Sequence, residues 1–181
     1  MSDKKPKLLL HTCCGVCGAW VPEMLLQDYE ITMYYFNPNI SPIEEYDKRR
    51  DAVKIIADKL DIDFIEGEYD HKAWLVAVRG LEHEQEGGKR CPVCFSYRLE
   101  NTAEYAKNHG FEYFATTLTI GRNKRADVIN PIAEDWASRY KVKFLSGDWK
   151  KKGGQEESNK KSHEHGIYRQ DYCGCEFSKR D

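Results

Sequence analysis

KLLLHTCCGVCGAW, residues 7–20, decides the architecture. Three consecutive leucines without alternation describe a strand covered on both faces, the signature of a parallel sheet flanked by helices. The glycine-punctuated cysteine run after them marks the point where that strand gives out. We read Lys7–Leu10 as a short buried strand and Gly15–Gln27 as the helix that follows it.

The same alternation continues along the chain. Glu30–Phe36 (EITMYYF) is β-branched and aromatic, which predicts a second strand. Ser41-Pro42-Ile43-Glu44 has the form of a capping box with proline at the first helical position. Tyr46, Val53, Ile56, Ala57 and Leu60 then recur at helical spacing. Asp63–Ile65 reads as a third strand, and Trp74, Leu75 and Val78 as a short helix. Pro92–Asn108 predicts a helix stopped by Gly110, Phe111–Thr117 a fourth strand, Arg125–Arg139 a helix and Val142–Leu145 a fifth strand. Gln155–His165, closed by Gly166, gives a last helix. There is no internal repeat and no low-complexity linker; GGKR (87–90) and KKKGG (150–154) are expected loops. Strands alternating with helices imply an α/β fold, a mostly parallel five-stranded sheet with helices on both faces. We expect one domain over residues 1–181, with segment 148–181 closing over a site at the carboxyl ends of the strands, where ligands of such sheets bind.

The chain has 181 residues with 28 basic and 30 acidic side chains, so no global basic field marks it for nucleic acid and any polyanion site must be local. Leu8–Leu10 is too short for a signal-peptide core and no later run is long enough to span a membrane. The expected setting is the cytoplasm, where thiols stay reduced, so seven cysteines suggest metal or redox chemistry instead of a disulfide framework.

Those cysteines form three clusters: Cys13-Cys14-x-x-Cys17, Cys91-x-x-Cys94 and Cys173-Gly-Cys175. The first two stand at expected helix starts, where the thiolate, the metal-binding form, is favoured. A structural zinc held by four cysteines would leave three without a role, and a thioredoxin-type motif needs only one pair. Four thiolates around a 4Fe-4S cluster fit the soft ligands better. A disulfide across Gly174 would close a small strained ring of the easily reduced kind. Cys173 and Cys175 are therefore either a two-electron store or, in part, metal ligands.

Arg122, Lys124 and Arg125 follow the fourth strand, and Trp149-Lys150-Lys151-Lys152 the fifth, which puts both loops at the edge that carries the first cysteines. Arg122, Lys124, Lys151 and Lys152 are candidate phosphate contacts. Trp149, Tyr168 and Tyr172 are candidate base-stacking residues. His11 is read as a packed core histidine. Asp171, Tyr168 and Glu176 are candidate proton donors, and His163 and His165 are read as surface residues.

LLLHTCCGVC, FNPNISPIEEYDKR, KRCPVCFSYR, TTLTIGRNKRADVIN, DWKKKGG and IYRQDYCGCEFS together resemble the QueH family of epoxyqueuosine reductases, which act without cobalamin. The resemblance runs nearly end to end, with Gly15-Val16 where related sequences usually carry Ala-Pro. It implies a nucleotide-hydrolase-like (HUP-type) architecture and reduction of the epoxide on a modified guanine at the wobble position of a tRNA, the last step of queuosine synthesis. It also implies a 4Fe-4S cluster on Cys13, Cys14, Cys91 and Cys94, a redox pair at Cys173 and Cys175, and an external electron donor. Cys17 would hold an additional mononuclear iron or sit beside the cluster. Two other readings compete, a zinc-stabilised RNA-binding module and a thiol-based tRNA sulfur transferase. Against an ATP-dependent enzyme, the first strand leads into cysteines instead of a Gly/Ser-rich phosphate loop.

Overall fold

The computed structural model describes residues 4–179. Five strands, β1 (Lys7–His11), β2 (Glu30–Tyr35), β3 (Asp63–Glu66), β4 (Tyr113–Thr116) and β5 (Lys143–Phe144), alternate with six helices: α1 (Val21–Leu25), α2 (Ile43–Leu60), α3 (His71–Ala77), α4 (Arg90–Asn108), α5 (Ala126–Tyr140) and α6 (Gly154–Glu164). All strand pairs are parallel, in the order β3-β2-β1-β4-β5. The strand order reverses direction between β1 and β4, and at such a point the loops leaving the two strands diverge and open a crevice.

Leu8, Leu9 and Leu10 are fully buried because both sheet faces are covered. Leu8 and Leu10 pack with Met33, Val53 and Ile56 on the α2 side. Leu9 packs with Phe114, Leu99 and Ile129 on the α4 and α5 side. Each leucine contributes roughly 1.5–3 kcal/mol of burial, which is why the strand needs no alternation.

Three local readings are corrected. Gly15–Gln27 is helical only over Val21–Leu25; residues before it form tight turns. Pro22, without an N–H, suits a helix start and marks where this one begins. At Gly18 a Cβ would lie 2.7 Å from Thr12 Cγ2, and at Gly15 2.8 Å from Ala52 Cβ, so only glycine fits at these two positions of the cysteine loop. The capping box does not form: Pro42 is the N-cap of α2 and no side chain caps it. Ser41 instead bonds across the chain, its N–H to Gly174 O at 2.9 Å and its carbonyl from the Tyr172 hydroxyl at 2.6 Å. The fourth and fifth strands are also shorter than expected; the fourth is cut because Phe111 closes the α4 turn (N–H to Ala106 O, 3.0 Å) and Thr117 enters a 3-10 turn.

Candidate functional site

His11 ends β1 and is fully buried. Its Nε2 lies 3.0 Å from Phe36 O and its Nδ1 2.9 Å from Thr116 Oγ1. A carbonyl only accepts, so the proton sits on Nε2 and the Thr116 hydroxyl donates to Nδ1. Burial, followed by the positive charge of Arg98, brings its pKa down to about 4, and it stays a neutral core residue that ties β1 to β2 and β4.

One step further on, the Sγ atoms of Cys13, Cys14 and Cys17 lie within 4.8 Å of one another. These cysteines occupy turns, with Gly18 N–H to Cys14 O at 3.0 Å and Cys17 N–H to Cys14 Sγ at 3.3 Å. No helix N-terminus acts on them, contrary to the expectation for this motif. Thiol hydrogen bonds from Cys14 and Cys17 hold the Cys13 thiol well below its ordinary value against burial, and Arg98 adds to that. Cys14 is pushed up to about 12, first by its thiol contact with Cys13. Cys17 is also raised, first by its contact with Cys13.

Cys91 and Cys94 stand in the first turn of α4, as expected, and Gly87 N–H donates to Cys91 Sγ at 3.2 Å. Facing them across a narrow cavity, also lined by Trp74, Arg98 and Lys124, are Cys173 and Cys175. Cys173 is drawn down to about 4, first by the Cys175 thiol, with burial opposing and Lys124 assisting. Cys175 is correspondingly raised.

The C-terminal cysteines are held by long-range contacts. Arg49, on the buried face of α2, donates through Nε to Glu45 at 2.7 Å, through Nη1 to Cys173 O at 3.0 Å and through Nη2 to Tyr172 O at 2.9 Å. Ile40 pairs with Cys175 in an antiparallel bridge. Gly174 adopts φ +106°, and a Cβ there would lie 2.8 Å from Ile40 Cγ1 and 2.9 Å from Arg49 Nη1.

A second cavity, of about 150 Å³, opens at the β1/β4 crevice and is lined by Cys13, Cys14, Cys17, Arg98, Arg122, Lys124, Gln170 and Cys173, among others. Arg98, Lys124 and Cys173 belong to both cavities, so the two thiol groups share one wall. Lys124 turns inward, its side chain 15% exposed and its Nζ 3.9 Å from Glu86. Burial works against its charge, yet Cys173, opposed by Arg98 and helped by Cys91 and Cys94, leaves the amine above its ordinary value. Gly121 makes room for it, since a Cβ there would meet Lys124 Cγ at 2.6 Å. Lys151 pairs with Asp148 at 3.2 Å and lines a separate surface hollow with Arg125 and Lys150, while Lys152 is exposed. The polar ends of the candidate stacking aromatics are engaged internally: Tyr168 with Glu45 at 2.8 Å, Tyr172 with Ser41, and Trp149 Nε1 with Thr116 O at 2.9 Å. Glu176 meets His71 at 2.7 Å, and Asp171 is exposed. Neither His163, which is exposed, nor His165, which is half-buried, lines a thiol cavity.

Sequence reasoning passed over Arg49, Arg98 and Gln170. The signal for Arg98 was present: Cys91, Cys94 and Arg98 are spaced i, i+3, i+7 and share one helix face. Arg49 interrupts the apolar stripe Tyr46, Val53, Ile56 of α2, four residues after Glu45.

The family model "Epoxyqueuosine reductase QueH" matches residues 8–181. The chain is 39% identical over 182 residues to an epoxyqueuosine reductase QueH of Streptococcus pyogenes serotype M1, covering 97% of this chain and 71% of that protein. It is 40% identical to one of Haemophilus influenzae (100% and 75% covered) and 37% identical to one of Thermotoga maritima (94% and 89%). The crystal structure of a predicted subunit of tRNA methyltransferase from Methanocaldococcus jannaschii superposes with a TM-score of 0.57 at 13% identity, covering 84% of this chain and 76% of that one, a likeness of fold alone. With a family model spanning all but its first seven residues and relatives this similar over nearly its whole length, the chain belongs to the epoxyqueuosine reductase QueH family.

Proposed function

We propose that this protein reduces the epoxide of epoxyqueuosine at the wobble position of a tRNA, leaving the cyclopentene of queuosine. The observation that carries this reading, beside family membership, is the convergence of two thiol groups on one crevice that shares Arg98, Lys124 and Cys173. Removing an epoxide oxygen as water requires two electrons and two protons. Cys173, as thiolate, and Cys175 supply the two electrons as they close to a disulfide, and the protons come from the Cys175 thiol and from solvent: one S–H bond, one solvent O–H bond and two C–O bonds break, and an S–S bond, a C–C π bond and two O–H bonds form. An external electron donor then returns the pair to the dithiol.

The donor set fits an iron–sulfur group: the ligands are soft, buried or half-buried, and lined by N–H groups of Arg98 and Trp74 that have no hydrogen-bond partner among the described residues. Cys13, Cys14, Cys91 and Cys94 would hold a 4Fe-4S cluster, with Cys17 beside it or on an additional mononuclear iron. When bound, such a cluster supplies electrons one at a time. The described residues form one α/β domain in which segment 148–179 closes over the site, supported by the Arg49, Ser41 and Ile40 contacts to residues 172–175; residues 180–181 of the expected segment lie outside the described residues.

The modified base, splayed from the anticodon loop, enters the β1/β4 crevice. Arg122 at that crevice and the exposed Lys151 and Lys152 take the flanking phosphates. No helix among the described residues is long and apolar enough to cross a membrane, and free thiols acting on tRNA suit the cytoplasm.

The test is single-turnover reduction. Anaerobically purified protein, assayed for iron, sulfide and zinc, is reduced and incubated with tRNA carrying epoxyqueuosine, and the digested nucleosides are weighed by mass spectrometry. Loss of one oxygen atom, abolished by Cys173→Ser and by Cys175→Ser at unchanged iron content, is expected. No conversion by the iron-loaded, reduced protein would sink the reading; a protein holding one zinc and no sulfide would point to a structural site instead.

A further inference from the structure

Three arginines are almost wholly buried, Arg49, Arg90 and Arg98, at 2%, 1% and 3% exposure. Two of them have evident structural work. Arg49 spans Glu45 and two carbonyls of the C-terminal segment. Arg90 gathers the carbonyls of Leu81, Glu82 and Glu84, holding the loop that leads into α4. Arg98 differs. Its one hydrogen bond is to Asn37 Oδ1 at 3.2 Å, and no carboxylate lies within 4 Å of it among the described residues. Its Nε is buried and has no partner among those residues. Asn37, at the end of β2, donates its own amide N–H to Thr12 O at 3.0 Å, which turns Oδ1 toward the guanidinium and fixes it in place.

A guanidinium taken out of water without an anion is costly, and buried charges are as a rule paired or set against a metal site. Arg98 lines both thiol cavities, and Lys124, the second inward-turned cation, lines both with it. Two positive charges therefore stand in the wall between two groups of cysteines, and Glu86, 3.9 Å from Lys124 Nζ, is the one carboxylate within 4 Å of either among the described residues. The missing negative charge is that of the sulfur ligands themselves once they are deprotonated around a metal.

We propose that Arg98, backed by Lys124, is the counter-charge of an anionic metal–thiolate centre in this crevice, that its free N–H groups donate to sulfur of that centre, and that the pair raises the centre's reduction potential. The inference rests on the cofactor reading of the previous section. Its physics is direct: reduction adds one negative charge, and a fixed cation in a poorly screened site stabilises the more negative state. Arg98 acts through the centre, as a positioning residue, and its loss is felt as a harder reduction.

The experiment is an anaerobic titration with dithionite and redox mediators, followed by visible and electron paramagnetic resonance spectra, on wild type, Arg98→Gln, Arg98→Lys and Lys124→Gln, each assayed for iron and sulfide. Arg98→Gln keeps N–H donors but removes the charge. Its reduction equilibrium is expected to fall about tenfold, a midpoint about 59 mV lower for a one-electron couple. Arg98→Lys should lie between it and wild type, and Lys124→Gln should move in the same direction by less. Lys124→Gln and Arg98→Lys carry the measurement if Arg98→Gln does not fold. Unmoved potentials in the charge-removing variants, at wild-type iron and sulfide, overturn the proposal and leave the cofactor reading standing. A wild type without iron and sulfide overturns the cofactor reading and this inference with it.

Discussion

Replacing Arg49 by methionine tests whether the C-terminal cysteines are clamped by the core. The side chain is 2% exposed and ends on Glu45 at 2.7 Å, Cys173 O at 3.0 Å and Tyr172 O at 2.9 Å, with its guanidinium 5.1 Å from the Tyr172 ring centre. Methionine keeps most of the volume but leaves the 7%-exposed Glu45 with only the Tyr168 hydroxyl, and leaves two carbonyls unpaired. Breaking one partner of a buried pair costs about 3–5 kcal/mol. If that falls on the whole fold, Tm drops by roughly 6–20 °C for a chain of this size. If it falls on the segment alone, the open population around Cys173 and Cys175 rises roughly 10²- to 4 × 10³-fold at about 1.4 kcal/mol per decade. Thermal unfolding, together with mass-resolved alkylation of those two thiols in metal-stripped, reduced protein, separates the cases. Adding Glu45→Leu should recover part of the loss, because the stranded carboxylate goes with it. An Arg49→Met protein within about 1 kcal/mol of wild type in both assays, the size of an exposed pair, would refute the clamp.

Four further outcomes are expected. Leu9→Ala, fully buried between β1, α4 and α5, should destabilise by about 2–5 kcal/mol in urea titration. Gly174→Ala, at φ +106°, should loosen the segment by about 1–3 kcal/mol and speed alkylation of Cys173 while leaving the Leu9 core intact. Exchanging Lys151 and Lys152 together for glutamine should weaken tRNA binding and flatten its log–log salt slope by about 1–2; unchanged affinity at every salt concentration would remove them from the phosphate contacts. Cys91→Ser should lose iron and sulfide, whereas Cys17→Ser should keep about four of each; the reverse pattern would move Cys17 into the ligand set.

The fold was legible where local composition reports burial on both faces. Leu8–Leu10 are apolar without alternation, and Ile31–Tyr35 nearly so with Thr32 the exception, because helices cover both sides of the sheet, the pattern expected of a parallel sheet. It was not legible where a distant segment overrode a local pattern. Ser41 and Glu44 have the spacing of a capping box, but the backbone of Ser41 is taken by Gly174 and Tyr172, more than 130 residues away. Between Gly15 and Gln27 the apolar spacing suited a helix, while the chain runs in turns up to Trp20, with glycines at 15 and 18 where a Cβ would meet Ala52 and Ile167, or Thr12.

The site divides along the same line. Each cysteine motif is a local pattern that spacing alone makes visible. What spacing does not carry is which motifs meet. Cys91 and Cys94 face Cys173 and Cys175 because α4 returns beneath the carboxyl edge and Arg49 draws the C-terminal segment down onto α2. The charges that join the two thiol groups were hidden for a different reason. A lysine in GRNKR beside glycine has the composition of a phosphate grip, and from sequence its side chain has no direction. The absence of a Cβ at Gly121 lets Lys124 fold inward, and the i, i+4 step from Cys94 carries Arg98 onto the same wall. A basic residue on the cysteine-bearing face of a helix, with no acidic residue at i±3 or i±4 to pair with inside the core, is the pattern to search for. Arg98 has Cys94, Phe95, Asn101 and Thr102 at those four positions and in no case a carboxylate, whereas Arg49 has Glu45. On that criterion the order of residues along one helix separates Arg98, the proposed counter-charge of a bound centre, from Arg49, which is paired with Glu45 inside the fold.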